Sequence, residues 1–195
     1  MLTRRQALSF AAAAAALSAC KPAERSEAQS GAPAIGGPFT LVDQDGRTVT
    51  EKDLLGHWSA IYFGFTYCPD ICPTSLMALK EGLAKLGRKG EQVKTYLISV
   101  DPERDTPQAM KAYVANEMFP KGLIGLTGTP EQVAAAAKAY KMYYKKDGEG
   151  EGYLINHQSI IYLMNPKGEL ARPLTHELTP EMIAQQIGDA MSRRA

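Results

Sequence analysis

Segments with the patterns of strands and helices alternate along most of this chain. Two apolar runs, Trp58–Phe65 and Val93–Val100, have the length and composition of buried strands. Between them, the segment from Pro73 to Leu86 repeats leucine at helical spacing. Such alternation is typical of an α/β domain, in which helices cover a central sheet. The chain is long enough to fold as one such domain around a sizeable core.

Further elements extend this pattern at both ends. A polar turn at Asp43–Gly46 predicts an N-terminal hairpin, and Ser159–Met164 predicts a late strand with a return strand after it. Asp105 is interpreted as a capping residue of a helix, and the polar, glycine-rich Lys145–Gly152 as an exposed loop. Three helices are expected to start at threonine–proline pairs, which are Thr106–Pro107, Thr129–Pro130 and Thr179–Pro180.

The charge balance argues against a nucleic-acid partner. The chain carries 22 Lys+Arg against 21 Asp+Glu, which gives a formal net charge of +1. A domain that binds nucleic acid needs a basic excess, because its lysines and arginines must replace the counterions of the phosphates. No nucleic acid is therefore expected to bind.

The start of the chain has the pattern of an export signal. Arg4 and Arg5 precede an apolar stretch from Ala7 to Leu17, shorter than the roughly 20 residues that span a bilayer. Residues 17–20, Leu-Ser-Ala-Cys, resemble a bacterial lipobox, in which the cysteine is lipidated and becomes the mature N-terminus. The paired arginines also resemble a twin-arginine signal. A secretory signal cleaved elsewhere and an uncleaved anchor are the alternatives.

This pattern divides the chain into three regions. Residues 1–19 are expected to be a signal peptide of the lipoprotein type. Residues 20–37, rich in Ala, Gly, Pro and Ser, are expected to be a flexible tether that is lipidated at Cys20. Residues 38–195 are expected to form the folded domain. The expected location is the bacterial cell envelope, where the lipid holds the domain to a membrane on its periplasmic side.

Two of the three cysteines lie close together at the end of a predicted strand. With Cys20 lipidated, Cys68 and Cys72 remain, in the segment TYCPDICPT. A disulfide between them would close a loop too short to add much stability, so we favour chemistry over a structural role. Sites in α/β sheets form beyond the carboxyl ends of strands. Thiolates there can bind a soft metal or exchange with a disulfide. Packing as two small apolar residues is the remaining alternative.

A metal site with two thiolates usually has a histidine as a further ligand. His57 precedes the strand Trp58–Phe65, at the end opposite the cysteines, and His176 lies in a polar stretch before the last helix. His157 directly precedes the strand Ser159–Met164 and is the most informative of the three. Its spacing alone does not bring it to the cysteines.

Three motifs in this order resemble the Sco/SenC family of copper chaperones: TYCPDICPTSL, SVDPERDTP and INHQSIIYLMNPKG. The resemblance covers the chain from Pro38 to the last helix. It implies a thioredoxin-like fold, with a central mixed sheet flanked by helices. It also implies that Cys68, Cys72 and His157 bind one copper ion per chain, as Cu(I), Cu(II) or both.

The same resemblance implies a role in the assembly of cytochrome c oxidase. The protein would deliver copper to the binuclear CuA site of oxidase subunit II, or to another copper-accepting protein, or would keep the thiols of that site reduced. A periplasmic protein would serve as the copper donor. No turnover of a small-molecule substrate is expected.

Two aspartates are candidates for supporting the site. Asp70 lies between the cysteines, where it can tune their charge, face a partner or cap a turn, and Asp101 is expected to border the site from the next strand.

Two positions depart from the family pattern. Asn156 stands where the family often has an aspartate, and Gln158 where it often has Ser or Thr. Loss of that carboxylate is expected to weaken the support of the imidazole while leaving the ligand in place.

Other functions share these residues. A thiol–disulfide oxidoreductase would use Cys68 and Cys72 as a redox pair, and a copper or redox sensor would use the whole metal site. A peroxiredoxin-like peroxidase would need a threonine and an arginine around one reactive cysteine, and would not need His157. Replacing His157 with alanine separates these functions, because a copper protein would lose its metal while a thiol reductase would largely retain its exchange chemistry.

Overall fold

The computed structural model describes residues 34–150 and 152–193. The predicted signal peptide, Cys20 and residues 20–33 of the predicted tether lie outside this range. Within it, Ile35 packs against the core and the Gly36 N–H donates a 2.9 Å hydrogen bond to the carbonyl oxygen of Ala139. Among the described helices, none has both the length and the apolar character needed to cross a membrane.

The strands of the described chain form a central sheet and a small separate hairpin. Their bounds are β1 (Thr40–Asp43), β2 (Thr48–Thr50), β3 (Trp58–Gly64), β4 (Val93–Ser99), β5 (Ile124–Thr127), β6 (Tyr144–Asp147), β7 (Leu154–His157), β8 (Ile160–Met164) and β9 (Leu170–Thr175). Seven of them form one sheet in the order β2-β1-β5-β4-β3-β8-β9, and β6 pairs with β7. Parallel pairing joins β3, β4 and β5, while the outer pairs are antiparallel, so the sheet is mixed.

Four α-helices accompany the sheet in the described chain: α1 (Ile71–Lys85), α2 (Pro107–Val114), α3 (Pro130–Ala139) and α4 (Pro180–Ser192). The predicted starts of α2, α3 and α4 are confirmed. In each, the threonine before the proline accepts a hydrogen bond from the N–H three residues later, which satisfies a donor that the helix leaves free. Helix α1 packs against α4, α2 against β5 and α3 against β1.

The core is centred on β3 and β4, which run parallel in register from the Trp58–Val93 pair to the Gly64–Ser99 pair. Almost every residue of both strands is buried. A strand that is covered on both faces needs apolar side chains on both, which explains the continuous apolar runs of the sequence. Because β3 and β4 are parallel, their carboxyl ends lie at the same edge of the sheet. The segments that carry Cys68 and Asp101 leave the sheet there.

The predicted fold class is confirmed: the protein is an α/β, thioredoxin-like domain with a central mixed sheet, flanking helices and an N-terminal hairpin of β1 and β2. The interpretation of Lys145–Gly152 as a simple loop is wrong. Its first residues belong to β6, which pairs antiparallel with β7 from Tyr144–His157 to Asp147–Leu154. The sequence gives no sign of β6, because its side chains are mostly polar and exposed. This strand pairs with β7 in a hairpin that is separate from the central sheet.

Candidate metal centre

The two cysteines lie on a tight turn between β3 and α1. The Cys68 N–H donates to the carbonyl oxygen of Phe65 at 3.2 Å, which closes the turn. Cys72 lies in the first turn of α1, and its N–H donates to the Cys68 sulfur at 3.4 Å. Pro73 is tolerated in this first turn because the N–H groups there have no acceptor within the helix. The helix start therefore directs a backbone donor at the Cys68 sulfur.

His157, the last residue of β7, reaches the same place from the separate hairpin. Its Nε2 lies 3.4 Å from the Cys72 sulfur. Its Nδ1 donates to the carbonyl oxygen of Gln158 at 3.1 Å, because a carbonyl can only accept. The imidazole thus presents the lone pair of Nε2 to the cysteines. The structure brings the two sulfurs and one ring nitrogen of His157 to within 4.8 Å of one another.

Aromatic rings hold the imidazole edge-on. The ring of Phe65 lies 5.8 Å from that of His157, and the ring of Tyr62 lies 6.1 Å away, both between centroids and nearly perpendicular. Phe65 and Tyr62 are fully buried, so their positions are fixed by the core. Such edge-to-face contacts orient a ring as well as cover it.

The two thiols are chemically unequal. Both are free, and Cys72 is completely buried while Cys68 is 9% exposed. The hydrogen bond from the Cys72 thiol, together with backbone N–H groups of Asp70 and Cys72, lowers the pKa of Cys68 to about 4. The same hydrogen bond, together with burial and the neighbouring charge, raises the pKa of Cys72. The reduced pair therefore consists of one thiolate and one thiol.

A cavity of about 300 Å3 connects the site to solvent. The cysteine turn forms one wall through Cys68 and Asp70, and β7 forms the other through Leu154 and His157. Leu154 is half exposed at the rim. A partner protein can thus approach the sulfur and the imidazole from the same side.

The predicted supporting residues occupy different positions. Asp70 is exposed at the start of α1 and lines the cavity, with its side chain 3.4 Å from the Thr74 hydroxyl. Asp101 is buried, 2% exposed, and accepts hydrogen bonds from Arg104 Nε and from the Tyr153 hydroxyl, each at 2.5 Å. Asp101 thus contacts the hairpin that carries His157.

The interpretation of Asp105 as a helix cap is wrong, because Thr106 caps α2. Asp105 is fully buried and accepts hydrogen bonds from the Thr66 N–H at 3.1 Å, the Thr66 hydroxyl at 2.6 Å and the Ser99 hydroxyl at 2.6 Å. Burial raises the pKa of this carboxyl group. Thr66 lies two residues before Cys68, so Asp105 fixes the cysteine turn to the end of β4.

The other two histidines lie apart from the centre. His57 Nε2 is 3.2 Å from the Tyr96 hydroxyl, and His57 precedes β3 at the opposite end of that strand. His176 is exposed and follows β9. Sequence reasoning missed Arg104 and Tyr153, which join the segments around the site. The contact between Arg104 and Tyr153 depends on the fold, and no spacing in the sequence predicts it.

Similarity to known proteins identifies the family to which this chain belongs. A family model described as SCO1/SenC matches residues 27–192. The chain belongs to the SCO1/SenC family. A mitochondrial SCO1 homologue of Arabidopsis thaliana is 49% identical over 140 residues, which are 71% of this chain and 41% of the relative. The chain thus spans less than half the length of that SCO1/SenC relative.

Solved structures of SCO1/SenC proteins share the fold. Arabidopsis thaliana ScoI with copper bound is 40% identical, with a TM-score of 0.77 over 82% of this chain and 99% of that one. BsSco, described as a member of the Sco family of cytochrome c oxidase assembly proteins with a disulfide switch, is 31% identical, with a TM-score of 0.64 over 82% and 92%. A SCO1/SenC family lipoprotein of Bacillus anthracis is 25% identical, with a TM-score of 0.67 over 82% and 94%.

Proposed function

We propose that this SCO1/SenC protein binds one copper ion through the sulfurs of Cys68 and Cys72 and through Nε2 of His157. It passes the copper to a copper-accepting protein during the assembly of cytochrome c oxidase. The observation that carries the proposal is the convergence of these three donor atoms within 4.8 Å. The copper-bound Arabidopsis relative and the oxidase-assembly relative BsSco support it.

The donor set fits copper as cargo. Thiolate sulfur is a soft ligand that selects Cu(I), and imidazole suits copper in either oxidation state. Cys68 is already a thiolate in the reduced protein, so only the buried Cys72 thiol must release a proton when copper binds. The His157 nitrogen that faces the sulfurs carries a lone pair, because the other nitrogen donates to a backbone carbonyl.

The surroundings of the site favour transfer over permanent storage. Three protein donors leave one side of a copper ion open, and the cavity beside Cys68 and His157 lies open to solvent. A ligand of the acceptor can therefore enter before a ligand of this chain leaves. His157 lies on a hairpin whose strands pair with each other rather than with the central sheet in the described chain, so it can move separately from the cysteines.

A copper titration tests this function. The protein would carry Cys20→Ser, so that Cys68 and Cys72 are its only thiols, and Cu(I) would be added without oxygen against a chelator of known affinity. We expect one copper per chain and weaker binding in each of Cys68→Ser, Cys72→Ser and His157→Ala. The exposed His176→Ala serves as the control. Absence of tight binding by the reduced parent would overturn the proposal.

Transfer is tested separately with a soluble CuA domain of oxidase subunit II as acceptor. Mixing copper-loaded protein with the reduced, metal-free domain should move copper to the domain within minutes, faster than copper dissociates into a chelator. A copper sensor would retain its metal under these conditions. Retention by this protein would contradict the delivery role while leaving copper binding intact.

The unequal thiols favour a second candidate, thiol–disulfide exchange. The Cys68 thiolate would attack a disulfide of a partner and displace one partner thiolate, which takes up a proton. Cys72, after losing its proton, would then attack the Cys68 sulfur and release the second partner thiol. The partner gains two electrons, and Cys68 and Cys72 become a disulfide. In Cys72→Ser the mixed disulfide should accumulate, and mass spectrometry would detect it.

We propose further that a lipid on Cys20 holds the domain at the periplasmic side of a bacterial envelope membrane. The residues Leu-Ser-Ala-Cys at positions 17–20 and the Bacillus anthracis lipoprotein relative support this location. Mass spectrometry of the native protein should find an acylated N-terminal cysteine. Cys20→Ser should release the protein from the membrane fraction. An unmodified Cys20 in the native protein would contradict the anchor.

A further inference from the structure

The candidate metal centre draws its donors from two segments that are distant in the chain. Cys68 and Cys72 belong to the turn after β3, whereas His157 belongs to the β6–β7 hairpin. A two-stranded hairpin alone is marginally stable in water. The position of His157 relative to the sulfurs therefore depends on what fixes this hairpin to the rest of the domain.

Arg104 lies between the two segments and contacts both. Its guanidinium carbon is 3.6 Å from the ring centroid of Tyr153, in the hairpin, and 4.6 Å from that of Tyr67, in the cysteine turn. Its Nη1 donates to the backbone carbonyl of Tyr153 at 3.0 Å. Tyr67 directly precedes Cys68, and Tyr153 lies four residues before His157.

Asp101 anchors this arrangement to the end of β4. One of its carboxylate oxygens accepts from Arg104 Nε, and the other accepts from the Tyr153 hydroxyl. The Arg104 side chain is only 15% exposed, so the ion pair with Asp101 is shielded from water. A buried carboxylate without its cation would be costly, which makes this arginine hard to replace.

We propose that Arg104 is a positioning residue that holds the His157 hairpin against the cysteine turn. This inference rests on the copper site proposed above. Its planar guanidinium stacks on the rings of Tyr67 and Tyr153 while its in-plane N–H groups donate to Asp101 and to the Tyr153 carbonyl, a geometry that the tetrahedral ammonium of a lysine does not reproduce. Without Arg104 the hairpin separates from the turn more often, and His157 leaves the donor set while the cysteine pair stays intact.

Hydrogen exchange on the reduced, metal-free protein tests the positioning directly. In Arg104→Gln, we expect the amides of residues 153–157 to exchange about tenfold faster, while those of β3 and β4 keep their rates. Arg104→Lys should behave in the same way, because it retains only the charge. Arg88→Gln, the same change at an exposed position before β4, is the matched control. Unchanged exchange in the hairpin would overturn the proposal, whatever the copper affinity.

A double-mutant cycle tests the link to His157. We expect Arg104→Gln to lower the Cu(I) affinity about 10- to 100-fold, the range typical of residues that orient a ligand. In the His157→Ala background the same change should alter the affinity less than about twofold. An equal loss in both backgrounds would show that Arg104 does not act through His157. A parent protein that binds no copper would instead reject the proposed function itself.

A milder variant keeps the test valid if Arg104→Gln fails to fold. Tyr67 is 62% exposed, so Tyr67→Leu removes one ring from Arg104 while leaving the Asp101 and Tyr153 contacts. We expect about threefold faster exchange in the hairpin and a smaller loss of copper affinity. Parent-like exchange and affinity in Tyr67→Leu would then overturn the proposal.

Discussion

The Cys72 sulfur lies 3.4 Å from Nε2 of His157, although these two residues are 85 positions apart in the sequence. The contact forms because Cys72 is fixed in the first turn of α1, while His157 ends a hairpin that folds over the same edge of the sheet. A thiol and an imidazole at this distance can share a proton or a metal ion. Which of the two dominates decides between copper chemistry and thiol chemistry.

His157→Ala should separate the two chemistries. We expect the copper affinity to fall about 100-fold or more, because one of three donors is lost. Thiol exchange should slow only modestly, since the Cys68 thiolate keeps its hydrogen bonds from Cys72 and from the backbone. Chelator competition and the rate of reaction with a model disulfide would measure the two effects. An equal loss of both would contradict separate roles for the ligands.

The reactivity of Cys68 should persist far into the acid range. Its pKa is lowered to about 4, so the thiolate should remain from about pH 8 to about pH 5. It should disappear as the pH falls through about 4. The rate of alkylation of the reduced, metal-free Cys20→Ser protein, measured as a function of pH, would report the Cys68 thiolate. The buried Cys72 should be labelled slowly. In Cys72→Ala the profile should move to higher pH. A parent midpoint near the ordinary thiol value of about 8.5 would contradict the assigned hydrogen bonds.

Asp105→Ala should destabilise the domain. The change removes the acceptor of the Thr66 N–H and of the Thr66 and Ser99 hydroxyls, and these donors lie in a partly or fully buried place. We expect a loss of about 2–4 kcal/mol in the free energy of unfolding, measured with urea. Asp105→Asn should cost less, because the amide oxygen can still accept from the Thr66 N–H and the Ser99 hydroxyl, while the Thr66 hydroxyl turns to accept from the amide N–H. Similar stability for the alanine variant and the parent would refute this role.

Gly64→Ala should disturb the centre from within the core. A methyl group there would lie 3.0 Å from the Cys72 sulfur and 3.0 Å from Tyr62 Cε1, closer than ordinary contacts. We expect a loss of about 1–3 kcal/mol in stability and weaker copper binding, because the sulfur must move. At Gly152 an added methyl group meets nothing within 4 Å, so Gly152→Ala is the control. Unchanged copper affinity in Gly64→Ala would contradict the packing.

Much of the fold could be predicted from local patterns. The apolar runs of β3 and β4 predict central parallel strands, and the threonine–proline pairs predict the starts of α2, α3 and α4. These signals depend only on nearby residues, so a single sequence contains them. The position of Cys68 and Cys72 at a strand end follows from the same reasoning.

The features that could not be predicted depend on contacts between distant segments. The polar strand β6 has no buried face, so its sequence lacks the alternation of apolar and polar residues that would predict a strand. Asp105 precedes a helix and resembles a cap, yet its partners include Thr66, 39 residues earlier. Arg104 stands in a charged stretch typical of a solvated surface, and only the fold places it between Tyr67 and Tyr153.

X-ray absorption at the copper edge tests the central claim most directly. The sample would be the reduced protein with Cys20→Ser, loaded with one Cu(I) per chain. We predict two sulfur donors and one nitrogen donor from imidazole in the parent, and loss of the imidazole signal alone in His157→Ala. A copper environment without imidazole in the parent, or with fewer than two sulfurs, would contradict binding by Cys68, Cys72 and His157.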